Sequence, residues 1–167
     1  MSQPGYMTIK ATSQGDLNPG TMSADSVGTF AKASHEDEMQ ILAINYDIVR
    51  PVDTQTGSLT GLPQHRGVTI TKMIDKASPQ IMQAMTEGEK LDIEIGWYRT
   101  KKAGAEEKYY TMKFTNATLI GRKIWIKNAQ DKNDADLWEY EDLTFTYATV
   151  EETHEICGTS GSASAEN

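Results

Sequence analysis

His35-Glu36-Asp37-Glu38 crowds an imidazole and three carboxylates into consecutive positions, residue types that bind divalent metals or move protons. On an extended segment, alternation puts Glu36 and Glu38 on one face and His35 with Asp37 on the other, so the four do not converge. A closed zinc site wants four converging nitrogen or sulfur ligands, and no second histidine cluster exists to supply them. The run therefore reads as a surface charge cluster at the entry to a strand. Asp131, Asn133 and Asp134 open like a calcium loop. Ala135 then stands at the fifth position, Asp136 replaces the sixth-position glycine and Asp142 replaces the bidentate glutamate, so the template fails. Cys157 follows His154 closely enough to suggest a nucleophile and a base. Nothing around it would lower the thiol pKa or build an oxyanion hole, and it reads as a small, semi-buried side chain. Asn116-Ala117-Thr118 is a glycosylation sequon, which has meaning only on a secretory route. A hydrolase using His35, His65 or His154 would need two of them to meet in one cleft, which spacing does not arrange. No catalytic, metal-binding or cofactor-binding residue is assigned.

The elements that hold these residues are mostly strands. Gly5 to Ala11 alternates imperfectly and suits a first strand, followed by an irregular, polar stretch from Gln14 to Gly28. From Asp37 to Val49, Met39, Ile41 and Ala43 face one way, then Ile44, Tyr46 and Ile48 take the other face; that phase change predicts a bulge or bend between two shorter strands. Residues 50–66 have no periodicity, and Pro51, Gly57, Gly61 and Pro63 break any ladder. Structureless connections beyond about 12–15 residues are uncommon and often functional. Pro51, Asp53, Thr54, Gln55, Thr56, Gly57, Ser58 and Leu59 are accordingly expected to form a protruding contact loop. A strand over Gly67 to Met73 leads to the one clear helix signal, about residues 79–87, with Ser78 as cap, Pro79 at its first position, Gly88 as its stop and a stripe of Ile81, Met82 and Met85. Leu91 to Trp97 alternates strictly, and Lys101 to Ala105 turns into a strand carrying Tyr110, Met112 and Phe114. A turn or bulge falls at Gly121, a polar loop runs from Asn128 to Asp136, and Leu143, Phe145 and Tyr147 mark the last long strand. Tyr98 and Arg99, residue types frequent at binding hot spots, are candidates for a subunit interface. Residues 158–167 read as a flexible tail beyond one domain of 1–157. Several amphipathic strands, one short helix and no βαβ rhythm predict an antiparallel β-barrel or sandwich.

Composition narrows the partners. The chain has 167 residues and a formal charge of −8, which argues against nucleic acid and against an anionic membrane surface. No stretch approaches the roughly 20 apolar residues of a spanning helix. The start, Met1-Ser2-Gln3-Pro4-Gly5-Tyr6, has no basic region followed by an apolar run, so folding in a cytoplasm is expected. One cysteine excludes an internal disulfide and fits a reducing compartment.

The order of motifs is more specific than any one of them. Ser34-His35-Glu36-Asp37-Glu38, Gln64-His65-Arg66, Thr69-Ile70-Thr71-Lys72, Ser78-Pro79, Gly88-Glu89-Lys90-Leu91 and Trp97-Tyr98-Arg99-Thr100 follow one another. Asp142 to Tyr147, Thr153-His154-Glu155 and Gly158 to Ser162 complete the series, with Thr21 to Gly28 before it. From about Gly5 to Ser162 the chain resembles the haemolysin-coregulated protein (Hcp) family, inner-tube proteins of the bacterial type VI secretion system. The resemblance implies a β-barrel with a side helix, hexameric rings stacked into a hollow tube inside a contractile sheath, and no cofactor. It implies spike and baseplate components as further partners, effectors in the lumen, and export of a signal-less protein from the bacterial cytoplasm by the machine itself. Two departures stand out: Cys157 replaces a small apolar residue, and Ala163 to Asn167 replaces an acidic, tryptophan-bearing ending. The competing reading is a monomeric β-barrel carrier with a central apolar cavity for a small ligand; a contractile-phage tail-tube subunit would share the mechanics of the first.

Overall fold

Strict alternation of β-branched and aromatic residues with polar ones makes this chain a sheet that buries one side. The computed structural model describes residues 4–131 and 138–165. Among these, in chain order, are β1 (Gly5–Ala11), β2 (Gly15–Asp16), α1 (Ala24–Val27), β3 (Met39–Ile41), β4 (Ala43–Val49) and β5 (Gln64–Met73). Then follow α2 (Ser78–Glu87), β6 (Leu91–Thr100), β7 (Glu106–Trp125), β8 (Tyr140–Thr146), β9 (Thr149–His154) and β10 (Thr159–Ser164). Every ladder is antiparallel, in the order β2-β1-β6-β7-β8-β5-β4, with β3 on β1, β9 on β7 and β10 on β9. The mainly antiparallel fold matches expectation, but the ladder does not close into a complete barrel.

The longest strand, β7, makes two layers from one sheet. Its first half pairs with β6 and β9, and from Thr118 onward it pairs with β8. The change of partner falls beside Asn116, whose φ of 50° is rare for a side chain other than glycine, and a bulge follows between Leu119 and Gly121. On the other side of the molecule, the phase change expected at Ile44 comes earlier, at Leu42, so that Ala43 is exposed and does not share the face of Met39 and Ile41. Met39 and Ile41 bury their side chains from β3, paired to β1; Leu42 then donates its N–H to the Thr71 carbonyl (2.9 Å) and β4 continues along β5. The chain thus steps from one end of the ladder to the other. Between the layers, Ile9, Ile70, Ile93, Ile95, Phe114 and Phe145 are fully buried. The space a ligand carrier would keep open is filled by these side chains.

α2 begins one residue earlier than predicted. Ser78 is not its cap: Ala77 holds that position, and the Ser78 hydroxyl instead accepts the Asp75 N–H (3.0 Å) and donates to Glu141 (2.7 Å). Gly88 does stop the helix, at φ 65°, ψ 31°. The buried stripe is Ala77, Ile81 and Ala84 with Met85 beside it, whereas Met82 points to solvent. A second short helix, α1, lies in the stretch read as irregular. The expected mobile tail is also corrected. Thr159–Ser164 pairs along the whole of β9 as β10, because small polar side chains leave its backbone free to complete a ladder. The polar loop and the calcium-like segment fall largely on residues 132–137, outside the described residues.

Candidate assembly surfaces

The loop over residues 50–66 is an arm that folds on itself. Asp53 Oδ1 accepts the N–H groups of Gln55 (2.8 Å) and Thr56 (3.3 Å), an Asx turn that fixes the tip. Asp53 also donates its own N–H to the Ser58 carbonyl (2.8 Å), Gly57 donates to Asp53 (2.8 Å) and Thr60 to Pro51 (3.0 Å), while Val52 bridges Leu59. Gly57 adopts φ 73°, which a side chain there would resist. Pro51 is half-buried, and residues 52–60, Thr54 among them, are exposed. Val52, Leu59 and Leu62 display apolar surface that no part of the described chain covers. The arm is therefore shaped before it meets anything. At its return, His65 Nδ1 lies 2.6 Å from the Tyr147 hydroxyl, and burial with the neighbouring Tyr46 pushes the Tyr147 pKa far up, so that hydroxyl keeps its proton.

β4, β5, β8 and the second half of β7 form a sheet with a polar outer face. Val68, Ile70, Leu143 and Phe145 point inward; the alternate positions carry Thr69 with Thr144 (hydroxyls 3.2 Å apart) and Thr71 donating to Asp142 (2.6 Å). The charges on this face are matched. Asp142 stands opposite Lys123, and Asp47 is 3.5 Å from Arg66. Against a net charge of −8, this is a locally neutral, hydroxylated surface.

An ion cluster under the same sheet ties it to α2. Lys72 Nζ lies 2.6 Å from Glu141 and 2.9 Å from Asp75, and Arg122 Nε is 2.9 Å from the other Glu141 oxygen. Burial pushes the Glu141 pKa up, but Lys72, Ser78 and Arg122 outweigh it and hold the carboxyl below its ordinary value. Asp75 goes the other way: burial dominates, and Lys72 with the Ala77 N–H offsets it only in part. Alternation signals this cluster in the sequence. Lys72 is in phase with Ile70, and Glu141 with Leu143, so two opposite charges were due to meet inside.

The remaining candidates lie apart. His35 is buried in a 3-10 turn, not at the surface of a strand; it stacks on Tyr6 (3.8 Å between rings) and places Nε2 2.9 Å from Glu106, with Nδ1 3.4 Å from Glu38. A turn lets the imidazole rotate inward, which strand alternation would have forbidden. Tyr98 closes that cluster, its hydroxyl 3.4 Å from Glu38; burial foremost, then Glu38, pushes its pKa up to about 12. Arg99 pairs with Glu107 (2.8 Å) over the Tyr109 ring. Both candidate interface residues are thus held by their own chain on the outer part of β6. Cys157 is exposed, not semi-buried, because it sits in the β9–β10 turn, where its N–H donates to His154 Nδ1 (3.1 Å). Among the described residues, no hydrogen bond or ring contact joins two histidines. Among the described residues, no three His, Cys, Asp or Glu side chains group as metal ligands.

Comparison with known proteins matches this arrangement closely. Residues 6–154 fit the family model described as type VI secretion system effector, Hcp. The Major exported protein of Pseudomonas aeruginosa is 42% identical over 163 residues, covering 97% of this chain and 95% of that protein. A crystal structure of an Hcp protein superposes at a TM-score of 0.93 with 29% identity over 99% of both chains. The secreted protein Hcp3 from Pseudomonas aeruginosa superposes at 0.80 with 35% identity, covering 99% of this chain and all (100%) of that one.

Proposed function

This chain belongs to the Hcp family of type VI secretion proteins, and from that membership we propose that it is a structural subunit of the secretion system's inner tube. Six copies close into a ring, and rings stack into a hollow tube that sheath contraction drives outward with effectors in its lumen. The protein folds in the bacterial cytoplasm and leaves through the machine, meeting sheath, spike and baseplate components on the way. Its work is mechanical, so no reaction is assigned to it.

The observation that carries this reading is where the chain leaves valences open. They lie on strand edges and on a preformed arm, while the space between the layers is full. A ring needs two different patches related by a rotation that closes, and stacking needs another pair that propagates without closing. Unpaired strand edges supply the first, because their backbone groups seek partners. The arm, exposed from Val52 to Thr60 and apolar at Val52 and Leu59, supplies the second. Each arm contact can be weak, since the copies in one ring act together. The hydroxylated face of β4-β5-β8-β7 suits a water-filled centre, because its few charges are already matched. Sedimentation equilibrium tests the reading. A dominant species of six chains, with multiples at higher concentration, is expected. A single-chain species at every concentration would contradict it.

A further inference from the structure

The C-terminal strand leaves an edge of its own, and beside that edge lies a hollow with an acidic wall. β10 pairs with β9, and among the described residues no strand lies on its other side. Both of its ends are fixed. Gly158 turns the chain at φ 71° and donates to the His154 carbonyl (2.9 Å), while Ala165 donates to the Ala148 carbonyl (2.8 Å) and packs on the core. Sheets normally guard such an edge with lysine, proline or a short strand. β10 offers Ser160, Gly161, Ser162 and Ala163 instead, all exposed, none with a side chain that bars an approaching backbone. A Cβ added at Gly161 would meet nothing within 4 Å, and its φ lies outside the left-handed region. Neither packing nor backbone strain requires glycine there.

The missing side chain keeps open a cavity of about 240 Å³, lined by Tyr110, Glu152, His154, Thr159, Ser160 and Gly161. Register explains the set. Gly161 stands opposite Glu152 and Thr159 opposite His154, so these four share a face, and Tyr110 stands opposite His154 on β7. On the reverse face Lys113 stands opposite Glu151. Glu152 has the Tyr110 hydroxyl as a hydrogen-bond partner but, among the described residues, no lysine or arginine in ion-pair reach. A strand added to β10 would lie two strand spacings, about 10 Å, from β9. Only a long side chain meets Glu152 across that gap, and the small residues of β10 let it pass. A guanidinium or ammonium placed there gains a charge-assisted bond to the carboxylate and the attraction of the Tyr110 ring. We propose that the β10 edge docks an extended segment of another protein, paired through its main chain to residues 160–163 with an arginine or lysine opposite Gly161. Backbone pairing supplies affinity, and the pocket selects the side chain. The net charge of −8 draws a basic segment toward the edge. This site uses neither the arm nor the edges of β4 and β7, so it stands apart from the tube reading.

The probe is a fluorescein-labelled peptide in which threonine and arginine alternate, read by fluorescence anisotropy against the purified chain. Saturable binding is expected, with slower amide hydrogen exchange along β10 in the complex. Gly161→Leu fills the hollow without changing the charge, and Glu152→Gln removes the carboxylate. Each is expected to weaken binding about tenfold or more, the worth of a hydrogen bond to a charged group. Circular dichroism of the Gly161→Leu protein should match the parent's, because that position is exposed. A peptide with glutamate in place of arginine is expected not to bind. Failure of the arginine peptide to bind the parent would overturn the proposal. So would parental affinity in Gly161→Leu, or binding that leaves β10 exchange unchanged, since either result means attraction to net charge alone. Protection of β10 amides that rises with protein concentration before peptide is added would place a second copy on the edge, and would overturn the proposal as well.

Discussion

Glu141 is the residue on which the junction of sheet and helix depends. It is fully buried and serves Lys72, Arg122 and Ser78 at once. Removing one partner of a buried ion pair leaves the other uncompensated, at a cost of about 3–5 kcal/mol. Glu141→Gln should lower the urea unfolding free energy by about that amount, with an unchanged urea dependence; a loss below about 1 kcal/mol would show that the cluster is solvated. Because its folded pKa lies below the ordinary value, the Glu141 contribution is present above the unfolded pKa and is lost as pH falls through the folded one. Tyr98 has the opposite sign. An unfolded tyrosine titrates near about 10, and the folded value of about 12 means the native state holds the proton more tightly. Its contribution is complete below about pH 10 and disappears as pH rises through about 12. Tyr98→Phe should therefore lose stability less steeply than the parent across that range in alkaline chemical denaturation; parallel curves would exclude Tyr98 as the titrating group. Neither charge of the buried cluster stands among the residues singled out from the sequence, although alternation carries the signal, Lys72 in phase with Ile70 and Glu141 with Leu143. His35 was not legible, because the turn that points it inward has no periodicity to read.

At the scale of elements, the arm and the β3–β4 step carry the architecture. The arm's hydrogen bonds run almost wholly within residues 50–61, and its apolar side chains touch no core. Replacing residues 52–59 with a two-glycine link should leave unfolding and ring size unchanged while shortening or abolishing stacks in electron micrographs. Stacks of parental length would remove the arm from the stacking contact. Both features were visible in the sequence: the arm as proline and glycine without period, the step as a phase change that the structure locates at Leu42. β10 was hidden, because Thr159 to Ser164 has the composition of a linker, and only its pairing with β9 makes it a strand. The apolar edge of β7 was hidden too. Ile120, Ile124 and Ile126 read as ordinary strand residues, and only the topology reveals that no strand lies beside them. Edges are properties of the sheet, and a local pattern does not encode them.

For the whole molecule, charge and symmetry decide behaviour. In the proposed tube, six chains at −8 each would give stacked rings a mutual repulsion that salt screens. Stacks should lengthen with ionic strength, as followed by sedimentation velocity; stacks that shorten would mean that opposite charges at the ring faces dominate. The match to the Hcp family over residues 6–154 fixes the class of machine, and the open edges with the preformed arm say how a subunit could serve it. Electron microscopy of the purified protein bears on that claim most directly. Class averages are expected to show six-fold rings with an open centre. Particles the size of one 18.5 kDa chain, with no annuli at any concentration, would contradict it.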